Sequence, residues 1–227
     1  MPIFQLTKAL IFPHPKEAIK DGLLAIGGDL NIKRLLLAYS NGIFPWFSEG
    51  DPIMWWSPDP RQVLFPEKFR ISKTFRKTIE NKKFEIKIDT HFTDVIENCA
   101  QTPRKDQGGT WITKEIIKAY IDLHKAGYAH SFETYFKNEL VGGLYGVSLG
   151  KAFFGESMFF HKTDASKLAL FYLIEFCKKH KFHFIDAQVK TAHLKSFGAI
   201  EIRRKEFLIL LEKALKSESI VGKWEIF

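Results

Sequence analysis

From Glu139 to Phe159 the chain reads as two pleated strands joined by a tight turn, and this run limits the fold more than any other because both strands need sheet neighbours. It closes on a single acid, Glu156, in the apolar company of Phe153, Phe154 and Met158. A second short strand, Phe184-Ile-Asp-Ala-Gln-Val189, carries polar residues where a buried strand would not be expected to hold them. A period of two puts Asp186 and Gln188 on one face and Ile185, Ala187 and Val189 on the other. Unpaired carboxylates and amides are costly to bury, so the pair implies either partners or a chemical task.

The 227 residues suffice for one large domain, or for a medium and a small one, with a real core. The longest apolar runs, such as Leu168 to Ile174, fall well short of the roughly 20 residues that span a bilayer. Met1 to Ile11 lacks the basic start and apolar stretch of a signal peptide, so no membrane partner and a cytoplasmic location are expected. Cys99 and Cys177 fall on the apolar faces of predicted helices, which argues against a disulfide framework or a cysteine metal site. The net charge of +8 favours a polyanionic partner. Arg70, Lys73, Arg76 and Lys77 recur at helical spacing, flanked by Lys68, Lys82 and Lys83, and draw one basic stripe. A second basic group, Lys178 to Lys181, Lys190, Lys195 and Arg203 to Lys205, flanks the Asp186 strand; a solvated face accounts for either group equally well.

Residues 1–60 are rich in proline, glycine and aromatics and predict a loop-built lobe with one helix at Asp29 to Ser40, capped by Asp29. A boundary near Pro60 separates it from residues 61–227. There, strands are expected at Gln62–Phe65 and Phe84–Ile88, and helices at Ser72–Asn81, Phe92–Ala100 and Thr113–Ala126. Three strands follow at His130–Phe136, Glu139–Ser148 and Lys151–Phe159, then a helix at Ala165–His180 and a strand at Phe182–Val189. Short helices at Thr191–Phe197 and Lys205–Ser217 close the chain, giving a mixed α+β order around an antiparallel meander.

Six segments, Gly22-Leu-Leu-Ala-Ile-Gly-Gly-Asp29, Gly42-Ile-Phe-Pro-Trp-Phe47, Trp55-Trp-Ser-Pro-Asp-Pro-Arg61, Gly109-Thr-Trp-Ile-Thr113, Gly142-Gly-Leu-Tyr-Gly146 and Gly155-Glu-Ser-Met-Phe159, closely resemble the bacterial leucyl/phenylalanyl-tRNA–protein transferases. The resemblance runs in register from about Phe4 to Phe207. It implies a small N-terminal domain joined to an acetyltransferase-like (GNAT-type) domain whose mixed, largely antiparallel sheet is flanked by helices. It also implies transfer of leucine or phenylalanine from Leu-tRNA or Phe-tRNA to the α-amino group of proteins beginning with Lys or Arg. That product marks them for degradation under the N-end rule. A monomer is expected.

An aminoacyl ester is already activated, so its aminolysis calls for positioning, deprotonation of the amine and support of an oxyanion, and for no metal or coenzyme. Asp186 is placed to hold or deprotonate the incoming ammonium and Gln188 to bond the amine or oxyanion; the resemblance assigns both to catalysis. Glu156 could orient Gln188 or supply negative potential for the cationic acceptor. The resemblance places Phe153, Leu144 and Leu173 in an apolar pocket, and Trp46, Tyr39, Trp111 and Tyr120 near a bound adenosine or that pocket. The family often has a bulkier residue where this chain has Leu173 and Cys177, which bears on the choice between leucine and phenylalanine.

Three rival readings fit less well. An acyl-CoA-dependent acetyltransferase would show an Arg/Gln-x-x-Gly-x-Gly/Ala loop, which the sequence lacks. A non-catalytic RNA-binding module leaves Asp186, Gln188 and Glu156 without a purpose. A metal enzyme built on His180 and His183, or on His124 and His130, has no carboxylate at ligand spacing.

Overall fold

A computed structural model describes residues 3–102 and 110–225. Its first sheet is built from β1 (Phe4–Leu6), β2 (Leu23–Gly27), β3 (Phe44–Pro45) and β4 (Met54–Trp56), in the order β1-β2-β4-β3, with helix α1 (Ile32–Ser40) in the connection. The loop-built lobe expected for residues 1–60 is therefore a small sheet. Its strands are two to five residues long and punctuated by Gly and Pro, too short for a period of two to show. Asn31, not Asp29, caps α1, its side chain accepting the Arg34 N–H at 2.9 Å. Asp29 lies further out and pairs with the Arg34 guanidinium.

The second sheet holds β5 (Arg61–Leu64), β6 (Glu85–Ile88), β7 (Ala129–Phe136), β8 (Glu139–Leu149), β9 (Ala152–Phe160), β10 (Phe184–Gln188) and β11 (Ile200–Ile202). Their order is β11-β5-β10-β9-β8-β7-β6, with β9 and β10 parallel and the other neighbours antiparallel. Helices α2 (Lys73–Glu80), α3 (Phe92–Gln101), α4 (Lys114–Lys125), α5 (Ala165–Lys179), α6 (Ala192–Ser196) and α7 (Arg204–Leu215) complete the chain. The long helices and the meander lie within a residue or two of the expected positions. The three-residue β11 gave no readable alternation. No helix among the described residues is long and apolar enough to cross a membrane.

Both faces of the second sheet are covered, which is why β7 and β8 are buried almost end to end. Alternate side chains feed two cores. Tyr145, Phe154 and Phe184 join one with α1, α3, α4 and α7, while Leu144, Phe153 and Ile185 join another with α5. Gly142 lets α5 settle on β8, since a Cβ there would lie 2.5 Å from the Cβ of Ala165. Gly146 sits opposite a bulge of β9, whose register skips Glu156, and a Cβ would fall onto the carbonyl oxygen of Phe154. Cys99 on α3 and Cys177 on α5 are both buried.

Past α7 the chain returns to the second core and plants Trp224 in it, 3 % exposed. The indole stacks on His130 at 3.6 Å and on Phe176 at 4.2 Å between centroids. Its backbone N–H donates to Asp89 Oδ2 at 2.8 Å, and His130 Nδ1 meets the same oxygen at 2.7 Å. His130 is thus tied to a buried carboxylate, and His124 stacks flat on Phe92.

Candidate functional site

The parallel register of β9 and β10 covers only Ala152–Phe154 against Phe184–Asp186. Immediately beyond, Gly155, Glu156 and Ser157 on β9, Ala187 and Gln188 at the end of β10, and Val189 after it line a cavity of about 370 Å³. A Cβ at Gly155 would make only ordinary van der Waals contact, 3.7 Å from Asp186 O. Phe44, Pro45 and Trp46 of the first sheet wall one side; Leu144, Met158, Leu170 and Leu173 make the apolar wall. A cleft with apolar walls and a few convergent polar groups is the usual form of a small-molecule site.

The two polar residues of β10 do not stand side by side as the pleat implied. The register with β5 shifts between Asp186 and Gln188, and Gln188 adopts φ +60°, in the left-handed region. Its N–H turns back onto Asp186 Oδ1 at 2.8 Å, while its side chain reaches the other way and donates from Nε2 to Glu156 Oε1 at 2.7 Å. Asp186 is fully buried and held by Arg61 through two parallel bonds, Nε to Oδ1 at 2.8 Å and Nη2 to Oδ2 at 2.6 Å. Its countercharge is already in place, so both of its oxygens are engaged before any substrate arrives.

Glu156 is the other kind of acid. Among the described residues it pairs with no cation; it is held by neutral donors, Tyr39 Oη to Oε1 at 2.8 Å, Tyr120 Oη to Oε2 at 3.2 Å and the Gln188 amide. Burial pushes its carboxyl up to about 7, against the opposing pull of the three hydrogen bonds. Burial, and then the charge of Glu156, hold the Tyr39 and Tyr120 phenols well above their ordinary value, so both remain donors. The two hydroxyls also lie within hydrogen-bond reach of each other; with one proton apiece, a phenol that donates there does so in place of its bond to Glu156.

Of the aromatic residues expected near an adenosine, Trp46 and Trp111 line the cavity, and Trp46 leans on Trp56 at 5.5 Å. Tyr39 and Tyr120 are completely buried, their rings packed on Phe154 and Tyr145. With no face open to a ligand, they act through Glu156. Leu144 and Leu173 line the cavity; Phe153 does not, and belongs to the buried cluster behind them. The sequence reading missed Arg61, Phe44, Met158 and Leu170. Only Arg61 left a clue, since a buried Asp186 demands a cation and the sequence does not say which.

The basic stripe is exposed as expected: α2 turns only Phe75 fully inward and leaves Lys73, Arg76 and Lys77 outside, with Arg70, Lys82 and Lys83 beside it. In the second group, Lys178 pairs with Glu175 and Lys190 with Glu201.

Residues 63–212 match the family model for leucyl/phenylalanyl-tRNA protein transferase, and residues 28–59 match the model for the N-terminal domain of that protein. The chain is 53% identical over 224 residues, 99% of its length and 91% of the relative's, to a leucyl/phenylalanyl-tRNA–protein transferase of Solidesulfovibrio magneticus. It is 52% identical over 227 residues, 100% and 97% of the two lengths, to one from Desulfatibacillum aliphaticivorans. A third, from Myxococcus xanthus, is 51% identical over 226 residues, 99% and 97%.

Proposed function

Since the chain belongs to the leucyl/phenylalanyl-tRNA–protein transferase family and is an aminoacyltransferase, we propose that its reaction takes place in the cavity between β9 and β10, with Glu156 receiving the acceptor's α-ammonium. The observation that carries this reading is the contrast between two carboxylates: Arg61 neutralises Asp186, while Glu156 faces the cavity among neutral donors.

The donor is leucine or phenylalanine on its tRNA. Leu144, Met158, Leu170 and Leu173 suit an apolar side chain, and Trp46 and Trp111 offer faces for the terminal adenine. The exposed cations of α2 suit the acceptor-stem phosphates, and binding through them would weaken with salt. The acceptor is a protein whose first residue is Lys or Arg, which the negative potential of Glu156 favours, and its product enters degradation by the N-end rule. The division near Pro60 into a small domain and a GNAT-type domain belongs to the same reading. The parting of parallel strands β9 and β10 beside the cavity supports the fold type. A monomer working in the cytoplasm, where charged tRNA and new protein N-termini meet, belongs to the same reading.

Chemically, Glu156 takes a proton from the ammonium, whose ordinary value near 8 lies about one unit above its own, an uphill transfer of roughly 1.4 kcal/mol. The freed amine attacks the ester carbonyl carbon. Glu156 Oε1 already accepts from Tyr39 and Gln188 and Oε2 from Tyr120, so about one of its four acceptor positions remains for the ammonium. The second N–H of the Gln188 amide is available to the oxyanion. Collapse of the tetrahedral intermediate forms the peptide bond and breaks the ester C–O bond, the ribose oxygen leaving as a hydroxyl with the second proton the nitrogen gives up, while Glu156 releases the first to solvent.

The test is transfer of labelled phenylalanine or leucine from charged tRNA to matched proteins beginning with Lys, Arg or Met. Label on the Lys and Arg proteins alone is expected; equal labelling of the Met protein would remove the acceptor assignment. Trp46→Ala should cost about 1–3 kcal/mol of binding for an aminoacyl-adenosine, roughly a five- to 150-fold rise in Kd by titration. An unchanged Kd would return Trp46 to a packing role against Trp56.

A further inference from the structure

Arg61 opens β5 and is fully buried, directly after the segment that links the two sheets. Its guanidinium lies between two rings, Phe44 of β3 at 4.8 Å and Phe207 of α7 at 4.6 Å from the ring centroids. Three distant stretches of chain thus meet at one cation. The planar fork presents Nε and Nη2 to Asp186, and the stacked rings fix the plane in which it does so.

Asp186 passes that constraint on. The oxygen that accepts Arg61 Nε, Oδ1, also accepts the Gln188 N–H, closing a turn that skips a residue against β5. This turn needs the positive φ of Gln188, a conformation non-glycine residues adopt only when their surroundings impose it. Its result is to send the Gln188 amide toward Glu156 and the cavity, where an unbroken pleat would have aimed it with Asp186.

We infer that Arg61 is a positioning residue for aminoacyl transfer: through Asp186 it locks the Gln188 turn and so sets the amide that bonds Glu156 and faces the reacting centre. Asp186 then serves as a link in that chain of bonds, its two oxygens taken up by Arg61 and the Gln188 N–H. The inference rests on the reading of the cavity as the transfer site.

Single-turnover transfer from charged tRNA, alongside Kd for an aminoacyl-adenosine and the melting temperature, tests it on the wild-type chain and on Arg61→Lys, Arg61→Met and Arg61→Met/Asp186→Asn. Arg61→Met should slow transfer at saturating donor about a hundredfold while donor Kd changes less than about threefold. Arg61→Lys, which keeps the charge but loses the fork, should recover part of that rate. The double variant carries no unpaired buried charge, so it should fold even where the single variant fails, and it should stay as slow as Arg61→Met because nothing grips position 186. A double variant that transfers within threefold of the wild type would overturn the inference, reducing Arg61 to charge compensation. A loss confined to donor Kd would overturn it too, by making Arg61 a determinant of cavity shape. If the wild-type chain itself moves no amino acid, it is the assignment of the reaction that fails.

Discussion

Glu156→Gln is expected to slow transfer by about 10²–10³-fold at saturating donor, within the range a positioned general base contributes, with little change in the affinity for aminoacyl-adenosine. Glutamine fills the same space and can still accept from Tyr39 and Gln188, so the loss isolates the charge. The pH profile gives a sharper reading. With its carboxyl pushed up to about 7 by burial, Glu156 is largely neutral below that pH and cannot take the ammonium's proton. The wild-type rate should therefore climb through pH 7 and again near 8 as the α-ammonium loses its proton. In Glu156→Gln only the step near 8 should remain, and a profile that still shows both would clear Glu156 of the role.

The same shift has a thermodynamic side. Because the folded-state value lies above the ordinary 4.5, the folded chain holds this proton more tightly than the unfolded chain. Stability conferred by the protonated group is complete below about pH 4.5 and is lost as pH rises through 7. At pH 8, then, the slow glutamine variant should melt no lower than the wild type, a direct sign that the site is held against its own preference.

Trp224→Ala is expected to destabilise the chain by about 3–5 kcal/mol, the usual cost of emptying a large aromatic site in a core. For a chain of this size that is on the order of 10 °C in Tm. His130 and Phe176 would each lose a stacked face, while Phe132, Phe153 and Phe182 would border the void. Urea unfolding measures it directly. A loss below 1 kcal/mol would mean that the segment after α7 only rests on the core. Phe153 meets Trp224 and shares a buried cluster with Leu144 and Leu173 of the cavity wall, so a change in donor preference on top of lost stability would trace packing from the tail to the site.

Elements with a long enough period were legible in the sequence: α4, α5 and the β7–β8–β9 meander need only their own residues to show their amphipathic or alternating pattern. The first sheet was not legible, because strands of two to five residues among prolines carry almost no periodic signal. Trp46, Trp111, Leu144, Leu173, Glu156, Asp186 and Gln188 were all found, and all meet at one cavity. The error lay in how two of them face. A pleat is a rule for unbroken strands, and the break at Gln188 is tied through Asp186 to Arg61, 127 positions away in the chain, by a bond no local pattern contains. Tyr39 and Tyr120 were picked as rings near an adenosine or the pocket; their burial, which leaves them a hydrogen-bonding rather than a stacking contact, was not legible because it depends on the packing of α1 against α4.

That packing bears on how such a chain can change by exchange of parts. Residues 1–60 bring one of the two phenols on Glu156, one of the two rings on the Arg61 guanidinium and the tryptophan at the cavity wall; the remaining chain brings their counterparts. A chimera that took this stretch from a distant relative would replace half of each pairing at a stroke. The two sheets are therefore poor building blocks for shuffling, and recombination between them should be tolerated only where both parents seat the same carboxylate and the same cation in the same way.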